Sequence, residues 1–225
     1  MPDIPLSFNR NRRGRLVRLE VVSVPEVART QGAPALDGGT PAGLLAELDD
    51  AETVVGLVPL AGSDRGGDGP AAPIALATSQ GVVKRVKVGD EPRNGDAWEV
   101  ISLAEGDEVV WASTAADTDV IVLVASDAQL LRFQAARVRP QGRGAGGMAG
   151  ISLHEGARVV AAGRVPADLV SEALVVTVAG GRQALPGTSA GSVKVTPLDR
   201  YPAKGRATGG VRAQRFLRGE DELVL

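Results

Sequence analysis

Internal repetition constrains this chain more than any other feature, because a recurring unit fixes what each copy must pack against. One unit is a short apolar strand, a small turn and a second strand ending in a basic residue. It reads 74–78 (Ile-Ala-Leu-Ala-Thr), Ser79-Gln80-Gly81, then Val82-Val83-Lys84-Arg85. It recurs as 120–124 (Val-Ile-Val-Leu-Val) with Leu130-Leu131-Arg132-Phe133, and as 174–178 (Leu-Val-Val-Thr-Val) with Ser192-Val193-Lys194-Val195. A first copy begins at Gly14-Arg15-Leu16-Val17-Arg18-Leu19. A second unit follows each: a strand, an acidic or Gly turn, and a Val-rich strand. Its copies are 100–103 with Val109-Val110-Trp111, 151–153 with Val159-Val160-Ala161, and 215–217 with Leu223-Val224-Leu225. The earliest is Leu44-Leu45 with Val54-Val55-Gly56-Leu57.

Aligning Arg18, Arg85, Arg132 and Lys194 gives spacings of 67, 47 and 62 residues. A period of about 50 with four strands per unit predicts propeller blades. The expected fold is therefore all-β, a propeller-like disc of about four blades in one domain over residues 1–225. The blades fall near 10–60, 74–112, 119–162 and 173–225. The long first and last intervals hold turn-rich insertions, 61–73 and 180–191. Composition agrees: aromatics are only 3%, so the core must come from Val, Leu, Ile and Ala, and β-branched Val favours strands.

The absence of Cys removes disulfides, thiolate nucleophiles and Cys-based metal sites. No apolar run approaches the roughly 20 residues of a membrane helix. The N-terminus has no signal-peptide core, so a cytoplasmic protein without membrane contact is expected. The net charge of −2 runs against nucleic-acid binding, since such domains are usually basic. The charges are segregated, however. Glu47, Asp49, Asp50, Glu52, Asp64 and Asp68 crowd residues 41–70, whereas 129–150 and 200–218 carry only arginine and lysine.

Both basic stretches contain Gly- and Arg-rich loops. One runs Arg139-Pro140-Gln141-Gly142-Arg143 to Gly146-Gly147-Met148-Ala149-Gly150-Ile151, the other Pro202-Ala203-Lys204-Gly205-Arg206 to Gly209-Gly210-Val211-Arg212. Glycine lets backbone approach backbone, and arginine adds charge-assisted bonds to phosphate. These loops, together with Thr78-Ser79-Gln80-Gly81-Val82-Val83-Lys84-Arg85, resemble the C-terminal domain of the A subunit of bacterial type IIA topoisomerases, gyrase and topoisomerase IV. The resemblance runs from about Arg10 to the end.

That resemblance implies a β-pinwheel whose blades exchange strands and whose positive rim bends double-stranded DNA. Its implied DNA contacts are Arg18, Lys84, Arg85, Arg132, Arg139, Arg143, Lys194, Lys204, Arg206 and Arg212. Its implied partners are an ATP-hydrolysing B subunit and the rest of the A subunit. The rest of the enzyme would use ATP and Mg, and this chain no cofactor. Two departures stand out. The stretch Asn9-Arg10-Asn11-Arg12-Arg13-Gly14-Arg15 lacks the paired glycines and final lysine of the gyrase box, which favours a topoisomerase IV-like role. The DNA-cleaving tyrosine domain is also missing, since the only Tyr, Tyr201, sits in a blade loop. A piece of a longer enzyme or a stand-alone relative, non-catalytic by itself, is expected.

Sharper motifs fail on context. Gly142, Gly144 and Gly147 match a dinucleotide fingerprint, but a strand rather than a helix is predicted next. Gly187-Thr188-Ser189-Ala190-Gly191 matches a nucleophile elbow, but the only His, His154, lies upstream instead of downstream. The rival reading from another class is a propeller scaffold for protein, with the acidic segment 41–70 as its contact surface.

Overall fold

The computed structural model describes residues 6–9, 14–25, 40–46, 48, 52–58, 72–87, 96–181 and 191–224. Its strands fall into successive modules. The first holds β1 (Leu6–Asn9), β2 (Arg15–Val17) and β3 (Val54–Leu57). The second holds β4 (Ile74–Thr78), β5 (Val82–Val86), β6 (Ala97–Glu99) and β7 (Val109–Thr114). The third holds β8 (Val120–Ala125), β9 (Gln129–Gln134), β10 (Pro140–Gln141), β11 (Met148–Ala149) and β12 (Val159–Val165). The fourth holds β13 (Leu174–Gly180), β14 (Ser192–Pro197), β15 (Val211–Arg212) and β16 (Glu222–Leu223).

The sheets do not coincide with the modules. They run β3-β1-β2-β6, then β10-β5-β4-β7 with β11 also on β5, then β12-β8-β9-β15, then β14-β13-β16. Each module contributes an antiparallel hairpin and an inner strand to its own sheet. In the second, third and fourth modules the third segment crosses to the outer edge of the preceding sheet: β6 pairs β2, β10 and β11 pair β5, and β15 pairs β9. The predicted propeller-like pinwheel of four blades is thus present, with strands exchanged between neighbours. The fourth sheet shows three strands among the described residues.

Continuous apolar strands fill the seams between blades, as strands buried on both faces require. Ile121, Leu123, Leu131 and Phe133 meet Ala75, Ala77 and Val83 between the second and third blades. Leu16, Trp98 and Ile101 pack with Ile74 and Leu76 between the first and second. Val122, Val124 and Leu130 pack with Ala179, Leu198 and Tyr201 between the third and fourth. The inner strands meet at a cavity of about 380 Å³ lined by Val55, Val110, Val160 and Val224, with Arg158 among them.

The hairpin turns give the repeat an exact register. Gly14, Gly81, Ala128 and Gly191 all have positive φ just before the second hairpin strand. Counting from them, Arg18, Arg85 and Arg132 share one position, but Lys194 shares the preceding one with Lys84. The predicted equivalence of Lys194 with the arginines is therefore off by one residue. A side chain one step along a strand faces the other side of the sheet.

The shared arginine position ties each blade to the next. Arg85 is 1% exposed. It donates through Nη1 to the carbonyls of Ala135 and Val138, and through Nη2 to the Ala115 carbonyl and the Asp117 carboxylate. One guanidinium thus pins two connections of the third module. Arg132 repeats the bond one blade on, from Nε to the Tyr201 carbonyl at 2.5 Å. Arg18 lies over the indole of Trp98, 5.3 Å from the ring centre, and Trp98 is on the exchanged strand β6.

Several expected strands are absent. Residues 100–103, 151–153 and 215–217 form no strand; only Ile151 makes an isolated bridge, to Thr208. These segments carry the chain from the outer edge of one sheet to the inner edge of the next, so they leave both ladders. Ile101 and Ile151 anchor the crossing in the seams at 1% and 4% exposure. Leu44 and Leu45 lie in a four-residue helix, α1 (Ala42–Leu45), with no buried residue. Residues 61–71 and 182–190, which include most of both insertions and of the elbow-like motif, lie outside the described residues. So do Arg10 to Arg13 and most acids of 41–70.

Replacing Arg85 with Met would leave three carbonyls without their donor. At roughly 1–3 kcal/mol for each buried unsatisfied group, the loss is expected to be about 3 kcal/mol or more. Urea unfolding of the variant would show it as a lower midpoint, with Arg85→Lys recovering part.

Candidate nucleic-acid interface

The exchanged segments build the outer edge of the disc. After β9 and after β14, a single 3-10 turn (Ala135–Arg137, Leu198–Arg200) redirects the chain along the preceding blade. β10 runs parallel to β5, with Pro140 opposite Arg85. Its counterpart in the next blade is the bond from the Lys204 N–H to the Arg132 carbonyl. The chain then reverses at a Gly-Gly pair and returns antiparallel as β11 or β15. Gly210 has φ +74, and a Cβ there would stand 2.3 Å from the Leu130 carbonyl oxygen. The glycines therefore seat the loop directly on the neighbouring strand, and the residues between them line the periphery.

The ten basic residues expected to touch DNA divide into three groups. Lys84 and Arg85 are 0% and 1% exposed, so they are corrected out of the contact set. The Lys84 ammonium donates to the carbonyls of Arg143 and Ala145 at 2.8 and 2.6 Å. These two side chains were misread because a basic residue at a strand end looks the same in sequence whether it faces water or a neighbouring blade. Arg18, Arg132, Lys194, Lys204 and Arg206 are partly committed. Lys194 Nζ donates to the Ala213 carbonyl, and Lys204 Nζ to that of Gly210. Arg206 bridges the carbonyls of Arg137 and Ala149, fastening the fourth module's loop onto the third's.

The third group is Arg139, Arg143 and Arg212. All are exposed, and among the described residues none makes a side-chain hydrogen bond or ion pair. Arg143 and Arg206 occupy equivalent loop positions, yet one is free and the other is a fastener. Arg137 and Arg200 were not singled out from sequence. Both are exposed and occupy the third place of equivalent 3-10 turns. A basic residue recurring five places beyond Arg132 and six beyond Lys194 was the available signal.

Acidic groups gather elsewhere, around the hairpin turns. Asp127, Glu155 and Asp221 line one pocket of about 220 Å³, and His154 Nδ1 lies 2.5 Å from Asp127. An overall charge near neutrality is therefore compatible with loops at the edge that are rich in cations, although Asp199 and Glu99 are exposed on the same exchanged segments.

A family described as "DNA gyrase C-terminal domain, beta-propeller" matches residues 73–90, 119–166 and 187–224. The DNA gyrase A subunit of Staphylococcus epidermidis is 29% identical over 214 residues, covering 94% of this chain and 22% of that protein. The DNA gyrase A subunit of Escherichia coli is 29% identical over 201 residues, covering 88% of this chain and 20% of that protein. The chain thus spans about a fifth of the length of the curated relatives it matches. Its fold is similar to that of the crystal structure of the C-terminal domain of DNA topoisomerase IV. The TM-score is 0.75 at 21% identity, over 99% of this chain and 62% of that one.

Burial lowers the Lys84 ammonium from 10.5 to about 8. The unfolded chain therefore binds more protons than the folded one between these values, and stability should rise as pH increases from about 8 to 10.5. Leu131 fills the equivalent position one blade on, so Lys84→Leu is a foldable control. Urea titrations at pH 8 and 10 should show a smaller gain with pH for the variant than for the wild type.

Proposed function

We propose, from the premise that this chain belongs to the C-terminal β-pinwheel domains of the gyrase and topoisomerase IV A subunits, that it binds and bends duplex DNA along its outer edge. The observation that carries the reading is the contrast among basic residues. Lys84 and Arg85 spend their donors inside the protein, while Arg139, Arg143 and Arg212 keep theirs for an external acceptor. Arginine forks match phosphate oxygens, and glycine-rich backbone beside them adds N–H donors. Arg18, Arg132, Lys194, Lys204 and Arg206 hold further N–H groups beyond the bonds they already make.

Binding of this kind neutralises phosphates and releases counterions, with little reading of base edges. Bending 20–30 base pairs costs on the order of 1–6 kcal/mol, which a few arginine–phosphate contacts offset. A rigid array of exchanged blades suits the task, because its edge keeps its curvature under that load. The wider reading is that the domain guides DNA for a cytoplasmic, ATP-dependent type IIA topoisomerase, assembled with a B subunit and the rest of an A subunit. The cleavage chemistry then belongs to that remainder, and the domain itself is non-catalytic. A topoisomerase IV-like role is preferred over chiral wrapping, because residues 9–15 depart from the gyrase box.

The triple variant Arg139→Ala, Arg143→Ala, Arg212→Ala tests the reading. Each phosphate contact contributes about 0.9 to the slope of log affinity against log salt, so the slope should flatten by roughly 3 units. The circular dichroism spectrum should not change. Wild-type affinity for a random-sequence duplex that ignores salt would contradict the proposal, as would a variant that binds like wild type.

A further inference from the structure

The loop that carries Arg143 is anchored at both ends on one strand. β10 pairs Pro140 with Arg85 and Gln141 with Val86, while β11 pairs Met148 with Val83 and Ala149 with Val82. Residues 142–147 therefore leave β5 on one side of Lys84 and rejoin it on the other. Lys84 is fully buried beneath this arch, and its ammonium donates to the carbonyls of Arg143 and Ala145.

At the apex little else touches the chain. Arg143 stands between Gly142 and Gly144, and a Cβ added to either glycine would meet no atom within 4 Å. Glycine on both sides leaves this backbone free to swing unless something grips it. The other backbone bonds lie towards the returning arm. The Ala145 N–H donates to the Gly142 carbonyl at 3.2 Å, and the Ser102 N–H to the Ala145 carbonyl at 3.4 Å. The grip on Arg143 itself comes from Lys84.

The fourth module holds the matching loop in another way. Leu131 has the place of Lys84 on β9 and supplies no side-chain donor. There the loop arginine is the anchor: Arg206 ties the carbonyls of Arg137 and Ala149, and Lys204 reaches across its own loop to the Gly210 carbonyl. Where the receiving strand provides a cation, the loop arginine stays free. Where it provides leucine, the loop arginine is occupied. Leu131, 1% exposed, also shows that packing at this position needs no charge. Desolvation lowers the Lys84 ammonium to about 8, so the charge is held there against a penalty that leucine avoids.

We propose that Lys84 is a positioning residue for DNA binding: by gripping the Arg143 and Ala145 carbonyls it fixes the arch and leaves the Arg143 guanidinium free and facing outward for phosphate. Lys84 does not itself reach DNA. A loop ordered before binding loses less conformational freedom when it meets its ligand, so the grip raises what Arg143 contributes to affinity. The inference rests on the reading that Arg143 meets phosphate, and it predicts a coupling that reading does not require.

The test is a double-mutant cycle on the whole chain, read by fluorescence anisotropy with a labelled 30-base-pair duplex of random sequence. Arg143→Ala and Arg212→Ala are each made in the wild type and in Lys84→Met, which keeps the length of the side chain but removes its donors. Lys84→Leu is the second background. Arg143→Ala should weaken wild-type binding about fivefold, but less than twofold in either Lys84 variant. Arg212→Ala should cost the same in all three backgrounds. Hydrogen exchange at the amides of residues 143–146 should quicken about tenfold in Lys84→Met, with the unfolding midpoint close to wild type. An equal cost of Arg143→Ala in every background would overturn the positioning role and leave the DNA reading intact. A parallel fall in the cost of Arg212→Ala would also overturn it, because the lysine would then support the disc as a whole. If neither arginine mattered in the wild type, the DNA reading would fall and this inference with it.

Discussion

Strand exchange between neighbouring blades is the constraint on which the rest of this structure depends. Each module closes its own sheet on the inner side, and the second, third and fourth also close the preceding sheet on its outer side. Removing the second, third or fourth module would strip an edge from the sheet before it, so these interfaces are backbone ladders as well as apolar seams. The basic residues then follow from this geometry. An exchanged segment arrives with carbonyl groups that its new sheet does not fully satisfy. Arg85, Arg132 and Lys84 supply donors to those carbonyls from the receiving strand.

A buried cation is costly unless every donor finds an acceptor, and Arg85 comes close to that condition. It makes four bonds to three carbonyls and one carboxylate, while its Nε is the donor left without a partner. The carboxylate, Asp117, is itself largely exposed, so the pair is fixed at the protein end and solvated at the other. The same sequence position therefore serves as a fastener inside the disc and sets where the next loop leaves it. The free arginines of that loop owe their outward placement to the fastened ones.

Much of the architecture was legible in the sequence because hydrophobic period and turn chemistry repeat. The hairpins at 74–86 and 120–134, the four-blade count and the Gly-Gly loops could all be read directly. Segments 100–103 and 151–153 could not, because a buried crossing such as that at Ile101 carries the same apolar residues as a strand. The division of the basic residues was equally hidden. Arg143 and Arg206 sit in matching loops, and only the neighbouring Arg137 and Ala149 carbonyls decide that one is occupied and the other open. Sequence supplied the charge at each position but not its acceptor.

The central claim is that the strand-end cations hold the blades while the loop arginines meet phosphate. Arginine-selective labelling with phenylglyoxal, read by mass spectrometry with and without a 30-base-pair duplex, tests it at single residues. The account predicts that Arg139, Arg143 and Arg212 react in the free protein and are shielded by DNA, while Arg85 stays unreactive in both states. Reactivity of Arg85 in the free protein that DNA removes, or unchanged labelling of all three loop arginines, would contradict it.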